Sequence, residues 1–464
     1  MKILIAGASG FVGKSLLKSL SEDNSNEIFA LSRSANKSSA GDNIHWLSCD
    51  LFSLKDIQKV MKGMDIGIYL IHSMVPSAGL VQGDFQDIDL ILADNFSRAA
   101  KENGLKQIIY LGGIIPSKEV ELSEHLKSRI ETEETLMAYG TPVTTLRAPI
   151  IIGKNGSSFT IVNKLVERLP IMILPSWTGT FSCPVYIDDV VESISFVIGK
   201  EDHFNKIYNL MGPDIISYNQ LLEITAKVKG LKRYFFKVPF FTLQLSRLWV
   251  STVTGTPRDL VYPLIQSLKY PMVSNPESAL EIPGYKFKGI EESIKDALGV
   301  REIPTEKNLF PVFIRNEVFY HPSIEKKEVR SVQRLNRPEG KSALWVKEKY
   351  FEWLPKFFKR VIVVKVEGEV IRFRLFDLLD LLILTYSKER STPDRQLTYI
   401  TGGFLAKKNQ GRARLEFRET TCGKYFIVAI HEFKPFLPWY IYRFTQAPYH
   451  WWVMKKFGDF LKTY

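Results

Sequence analysis

The sequence predicts an α/β chain: a doubly wound parallel sheet, then an α+β C-terminal domain built as an antiparallel sheet with a long C-terminal helix. Three observations carry this expectation. Up to Pro149, short apolar runs alternate with segments of helical period, the pattern of strands joined by crossover helices. The net charge of +12 is uneven: Arg301–Tyr464 holds 31 Lys+Arg against 18 Asp+Glu, while the preceding residues are close to neutral. Near the C-terminus Arg412–Arg418 alternates strictly, with Ala413, Leu415 and Phe417 on one face and charge on the other, which reads as a half-buried antiparallel strand.

Each element follows from its residues. Lys2–Ala6 reads as a strand. Phe11–Leu20 reads as an amphipathic helix with Leu16, Leu17 and Leu20 on one side. Further strands are expected at Ile28–Ser32, Ile44–Leu47, Ile66–Ile71, Gln107–Leu111 and Val143–Leu146, with helices at Asp84–Asn103 and Ser123–Tyr139. Gly140 suits a left-handed helix stop, and Pro142 prevents continuation. Residues 150–300, cut by Pro170, Pro175, Pro184, Pro213 and Pro239, read as substrate-side insertions within a domain of residues 1–300. The charged, proline-bearing stretch 301–340 reads as a connection, and residues 341–464 as the basic, aromatic-rich C-terminal domain. There Arg360–Glu367 and Tyr425–His431 are strand candidates around a turn at Thr421–Lys424, and Pro435–Phe460 is the terminal helix region.

Composition excludes whole classes. The chain has 464 residues, of which 45% are hydrophobic and 24% charged, the profile of a folded globular protein rather than a disordered one. Cys49, Cys183 and Cys422 lie too far apart for a disulfide framework or a cysteine zinc cluster, and no metal site is expected. The N-terminus reaches a glycine too early for a signal peptide and no apolar run of spanning length occurs, so a cytoplasmic location is expected. No reader motif for nucleic acid is present, and none is expected as a partner.

The strongest motif is Gly7-Ala-Ser-Gly-Phe-Val-Gly13, directly after a strand and opening a helix. Gly7 permits the tight turn, Gly10 lets a pyrophosphate reach the backbone, and Gly13 lets helix pack on strand. The helix start adds free N–H groups and the positive end of a dipole. This is a Rossmann-type dinucleotide loop, with Gly7, Ser9, Gly10, Phe11, Val12 and Gly13 as its expected contacts. Strand two ends in Ala30-Leu-Ser-Arg-Ser34 and offers no carboxylate for a ribose 2′-OH. Arg33 can hold a 2′-phosphate, with Ser32 and Ser34 donating, so NADP(H) is expected over NAD(H). Asp50, followed by Leu51, can accept from the adenine amino group or serve a turn or helix cap. Ile71-His72-Ser73 ends strand four beside the expected nicotinamide ribose, and His72 reads equally as a proton carrier or as a satisfied polar residue.

These residues resemble the short-chain dehydrogenase/reductase superfamily in its extended and atypical branches. Tyr110–Ile114, His125–Arg129 and Leu146-Arg-Ala-Pro149 with Ile152-Gly153 are similar to the NmrA-like group and to proteins like the 39-kDa subunit of complex I. Ser246–Leu268 and Leu437–His450 resemble a long bacterial subgroup whose C-terminal domain is START-like, a helix-grip fold. The resemblance implies an NAD(P)-binding fold and adds Pro149 to the cofactor residues. It also exposes a departure. Active members of the superfamily use Tyr-x-x-x-Lys with a hydroxyl residue from strand five, whereas this chain has His125 and Arg129, and its strand five ends in Gly112-Gly113. His125 can still act as a general acid, and Arg129 can hold the ribose but cannot shuttle protons. The expected catalytic candidates are His125, Arg129 and His72. The plainer alternative places His125 and Arg129 on the charged face of their helix.

Two functions remain open at this level. One is an NADP(H)-dependent oxidoreductase acting on a small apolar quinone, enone or lipid-like substrate, with a C-terminal cavity for that ligand. The other is a non-catalytic NADP(H) sensor or assembly factor of the NmrA-like type. Asp188 and Asp189 read as helix caps. The Phe- and Leu-rich stretch Tyr234–Val250 reads as core packing or as an apolar channel. Trp439, Tyr440, Tyr442, Phe444, Trp451 and Trp452 mixed with Lys455 and Lys456 suit either a sheet-packed helix or peripheral contact with an anionic membrane.

Overall fold

The computed structural model describes the chain except residues 24, 34–41, 74–79, 117–121, 239–242, 274, 302–328 and 408–410. It divides into two compact units: Met1–Met74 with Asp89–Phe319, and Val75–Ile88 with Tyr320–Tyr464.

The first unit begins β1 (Lys2–Ala6), α1 (Phe11–Ser21), β2 (Glu27–Ser32), β3 (Ile44–Ser48), α2 (Leu54–Met61) and β4 (Ile66–Tyr69). A short strand β5 (Leu80–Gln82), which belongs to the second unit, precedes α3 (Phe85–Glu102), β6 (Gln107–Gly113), α4 (Glu124–Met137) and β7 (Val143–Ala148). Then follow β8 (Ile151–Ile152), α5 (Ser157–Arg168), β9 (Ile171–Pro175), β10 (Phe181–Ser182), β11 (Val185–Tyr186), α6 (Ile187–Val197) and β12 (Ile207–Asn209). The unit continues with β13 (Ile216–Ser217), α7 (Tyr218–Val228), β14 (Tyr234–Val238), α8 (Leu243–Thr254), α9 (Arg258–Ser267) and α10 (Ile290–Leu298).

Its main sheet has seven strands in the order β12-β7-β6-β4-β1-β2-β3, all parallel. Ile3, Leu4, Ile5 and Ala6 of β1 are all fully buried, because helices cover both faces of a parallel sheet. One face packs α1 through Leu16, Leu17 and Leu20, and the other packs α3 through Ala93, Phe96, Ala99 and Ala100. The helix starts are chemically marked: Ser53 caps α2, Ser123 caps α4, and Ser217 with Gln220 forms a capping box on α7. Residues 150–300 do more than insert, since β12 extends the parallel sheet beside β7.

Three local readings are corrected. Tyr186, not an aspartate, is the N-cap of α6; Asp189 instead accepts from the Tyr285 hydroxyl at 2.7 Å and the Lys288 amide at 3.1 Å. The aromatic stretch after Arg233 is not all core, because Phe236 and Leu245 are exposed. Phe240 and Phe241 lie outside the described residues. Val329–Asn336, which composition places in the connection, is a strand.

That strand, β15, begins the later part of the second unit, followed by α11 (Ala343–Phe357) and six further strands: β16 (Ile362–Glu367), β17 (Val370–Leu375), β18 (Leu379–Tyr386), β19 (Arg395–Gly402), β20 (Arg414–Glu419) and β21 (Tyr425–Phe433). Helices α12 (Trp439–Phe444) and α13 (Gln446–Leu461) close the chain. The sheet order is β16-β17-β18-β19-β20-β21-β15, antiparallel throughout, and β5 adds in parallel outside β15. Helices α11 and α13 pack on the sheet through rings. Tyr350 and Phe457 lie 5.1 Å apart, Trp353 and Phe457 5.2 Å, and Phe351 and Phe417 6.2 Å. These edge-on and tilted ring contacts make the core of the second unit strongly aromatic.

The polar face of β20 corrects the half-buried reading. Arg414, Glu416 and Arg418 are as buried as Ala413, Leu415 and Phe417. Glu416 accepts from Arg395 Nε at 2.7 Å and from Arg418, and His431 Nε2 lies 3.4 Å from its other oxygen. The charges can be buried because they pair with one another.

Candidate active site at the C-terminal edge of the parallel sheet

The loop after β1 is built for close approach. Gly7 has φ +91°, and a Cβ there would lie 3.0 Å from the backbone carbonyl of Leu70. A Cβ on Gly13 would stand 2.3 Å from the Gly7 oxygen, so a larger residue would force helix and strand apart. The Gly10 amide donates to the Gly7 carbonyl at 2.9 Å and closes the turn. Gly10 is also the N-cap of α1 and brings no side chain to its first amides. The amides of Phe11, Val12 and Gly13 therefore stand at a helix start with the dipole behind them. Ser9 is exposed on the loop, Phe11 and Val12 are half-buried, and a Cβ on Gly153 would meet the Phe11 ring at 2.7 Å.

The other cofactor candidates lie along the same strand ends. Ser32 ends β2, buried, and its carbonyl accepts from the Cys49 amide at 2.9 Å. Arg33 follows it, exposed, and Ser34 is outside the described residues. Asp50 follows β3; its Oδ1 accepts from the Phe52 amide at 3.3 Å, so it holds the turn into α2 while Ser53 does the capping. Leu51, Ile71 and Ser73 are half-buried, and Pro149 directly follows β7.

Beyond β4 the structure joins residues that the sequence left separate. His72 Nδ1 lies 2.8 Å from Asp89 Oδ2, and His72 Nε2 lies 3.1 Å from His125 Nδ1. The two imidazoles are 4.8 Å apart by ring centroid. Asp89, from α3, also accepts from the Ser73 amide at 2.8 Å and from the Ser128 hydroxyl at 3.4 Å. Sequence reasoning missed this residue. The signal was an acid set in the apolar run Ile88-Asp-Leu-Ile-Leu92, where a solvated carboxylate has no place.

The electrostatics follow from burial and neighbours. Burial pushes the Asp89 carboxyl up, but His72, Arg129 and the Ser73 amide outweigh it and its pKa falls below the usual carboxylate value. Burial lowers His72, and Arg129 lowers it further against the pull of Asp89. His125 falls well below 6.5 through burial, then His72, then Arg129. An ionised Asp89 can only accept, which places a proton on His72 Nδ1. His72 Nε2 and His125 Nδ1 then share one proton, and His125 keeps Nε2 for a further partner.

Arg129 sits one helical turn after His125. Its carbonyl accepts from the Tyr110 hydroxyl at 3.2 Å, and its Cγ lies 4.0 Å from a Cβ built on Gly113 at the end of β6. Its Nε is buried and, among the described residues, has no hydrogen-bond partner. The Tyr69 hydroxyl is also buried and unpartnered there. A buried guanidinium N–H without an acceptor, a cradle that a Cβ would fill and an uncapped helix start together fit an anionic dinucleotide. Arg147, which the sequence marked only as part of a motif, is spent on Glu133 through two bonds of 3.0 and 2.6 Å.

The seven-stranded parallel sheet and its glycine loop make a Rossmann-type unit with an epimerase/reductase-like fold. Residues 3–210 match the NAD dependent epimerase/dehydratase family. Auxiliary protein GraX of Staphylococcus aureus is 35% identical over 147 residues, which is 31% of this chain and 43% of that protein, less than half its length. Among solved structures, a Citrobacter sp. triphenylmethane reductase complexed with NADP(H) is similar at TM-score 0.51 and 18% identity, covering 64% of this chain and all of that one. An NADPH-dependent quinone oxidoreductase from Escherichia coli complexed with NADPH has the same TM-score of 0.51 and the same 18% identity, covering 64% of this chain and 99% of that one. In the described residues no helix is long and apolar enough to cross a membrane.

Proposed function

We propose that the first unit is an NADP(H)-dependent oxidoreductase for a small apolar carbonyl or quinone-type substrate, with His125 handling the proton. The observation that carries this reading is the Asp89–His72–His125 line, joined at 2.8 and 3.1 Å. An apolar substrate is in keeping with Leu126, the chain neighbour of His125, which packs in an apolar cluster with Ile114, Cys183 and Met272.

NADP(H), bound on the glycine loop, would supply a hydride to the substrate carbon. Gly7, Gly10 and Gly13 would let its pyrophosphate meet the amides of α1. Arg33 would hold the 2′-phosphate, since Glu27–Arg33 offers no carboxylate at the strand end. Arg129 would turn its unspent Nε toward the cofactor's ribose or phosphate side. His125 would give its Nε2 proton to the substrate oxygen while His72 passes its Nε2 proton to His125 Nδ1. Asp89 stabilises the charged His72 from which that proton leaves. A tyrosine–lysine pair reaches the same end by lowering a phenol's pKa; here two imidazoles and a carboxylate replace it.

A second reading, an NADP(H)-sensing regulator or assembly factor, draws on His125 and Arg129 standing where Tyr and Lys are usual. One experiment separates the two. NADPH and NADH affinities are measured by fluorescence titration, and NADPH oxidation is then followed against quinones and enones. Turnover with at least one acceptor supports the enzyme. Tight NADPH binding with no turnover across the panel overturns it in favour of the sensor. On Arg33→Ala the NADPH preference is expected to fall about tenfold or more, the worth of a charge-assisted phosphate contact.

A further inference from the structure

We infer that the outer face of α12 and α13 docks the protein onto an anionic lipid surface. Helix α13 has two faces of different character. Ala447, Val453, Met454, Phe457 and Leu461 are buried in the core of the second unit. Away from that core face, Tyr449 is 52% and Trp451 47% exposed on two flanks of the helix, and the exposed Trp452 lies 5.7 Å from Tyr449 by ring centroid. Helix α12 adds Phe444, 77% exposed, and Ile441 three residues earlier. Phe436, just before α12, is exposed as well and lies 5.8 Å from the exposed ring of Phe404. A soluble protein seldom leaves so many large rings together in water.

Charge decides what covers them. Between Glu432 and Asp459 the chain has no Asp or Glu, while Lys434, Arg443, Lys455 and Lys456 are basic. Arg443, Lys455 and Lys456 are exposed on the same helices as the rings. The Lys455 ammonium lies 5.3 Å from the centre of the Trp451 ring, and the Arg443 guanidinium 5.9 Å from that of Phe444. Cations and apolar rings are thereby interleaved, not segregated. Such a surface suits a bilayer interface, where Trp and Tyr sit at headgroup depth and Lys and Arg meet anionic phosphates. A second copy of the same face is a poor partner, because a twofold pairing would set basic residues against basic residues. The packed aromatic interior behind α13 fits this role too, since it makes the helix a firm support.

The test uses the full chain and vesicles of phosphatidylcholine with or without phosphatidylglycerol, in a sedimentation assay. Wild type should bind only the vesicles containing phosphatidylglycerol, and added salt should release most of it. Lys455→Glu with Lys456→Glu should weaken binding about tenfold or more, and Phe444→Ser with Trp451→Ser should abolish the salt-resistant remainder. Each variant's thermal transition is measured first, and the exposed Lys pair serves as the variant that keeps the fold. The inference is overturned if wild type stays in solution with anionic vesicles at low salt. It is also overturned if the lysine variant binds as wild type does, or if the aromatic variant changes only the protein's self-association or its binding to an acidic protein.

Discussion

At the scale of single residues, the glycine loop and the histidine pair make the sharpest predictions. Gly13→Ala places a methyl where the Gly7 carbonyl stands, 2.3 Å away, so NADPH affinity should collapse while the second unit stays folded; a fluorescence titration checks it. Asp89→Asn keeps the shape of the line at 2.8 Å from His72 but removes its charge. The turnover number should fall by roughly 10²-fold or more, with NADPH affinity little changed. Its pH profile gives a second readout. The proposed relay is loaded when His72 is protonated, so reduction slows as pH rises through the pKa of His72, which burial and Arg129 hold below 6.5. Asp89 raises that pKa, so the Asn variant should lose activity at a still lower pH. His72 and the glycines drew attention in the sequence because they follow strand ends, and His125 because it opens α4 where a tyrosine is usual. Asp89 was not, because nothing in the spacing of residues 72 and 89 reveals that α3 carries its carboxylate to the end of β4.

At the scale of elements, the sequence shows periodicity well and burial poorly. The alternation of β20 gave the strand and its Ala413–Leu415–Phe417 face. It could not show that Arg414, Glu416 and Arg418 are also enclosed, because an alternating charge pattern looks the same whether water or a partner guanidinium meets it. Strand β15 was hidden by Arg330, Gln333 and Arg334, which make a buried strand look like a connection. These buried charges should be costly to disturb. Glu416→Gln removes the negative charge that Arg395 and Arg418 share and should destabilise the second unit by about 3–5 kcal/mol in urea unfolding. His431 adds a pH term. Burial first, then Arg414, depress its pKa from 6.5 to about 4. The unfolded chain therefore takes up that proton first, so stability is whole above pH 6.5 and declines as pH falls toward 4. The loss is up to ~3 kcal/mol, and His431→Gln should flatten the decline in urea midpoint between neutral pH and about pH 5.

For the whole molecule, the charge changes from neutral to basic near residue 301, the structure divides into two units, and the main sheet is parallel in one and antiparallel in the other. What composition could not give was the boundary, because a segment near residue 80 is counted with the later part of the chain. If the first unit alone holds the cofactor, NADPH at about 100 times its Kd should stabilise that unit by about 2.7 kcal/mol. In calorimetry one transition should move upward with NADPH and the other should stay in place.

The strand β5 has a consequence in time. Leu80 pairs with Val329, so one strand of the second sheet leaves the ribosome long before its neighbour exists. At 5–20 residues per second the wait is on the order of 10 to 50 s. During that interval Leu80–Gln82 must stay clear of other strand edges, and any chaperone that attends this protein during synthesis has its reason there. The same pairing sets a limit on rearrangement of the gene. A cut near codon 300 would give two pieces of plausible size, yet the downstream piece would lack an edge strand that only the upstream piece encodes.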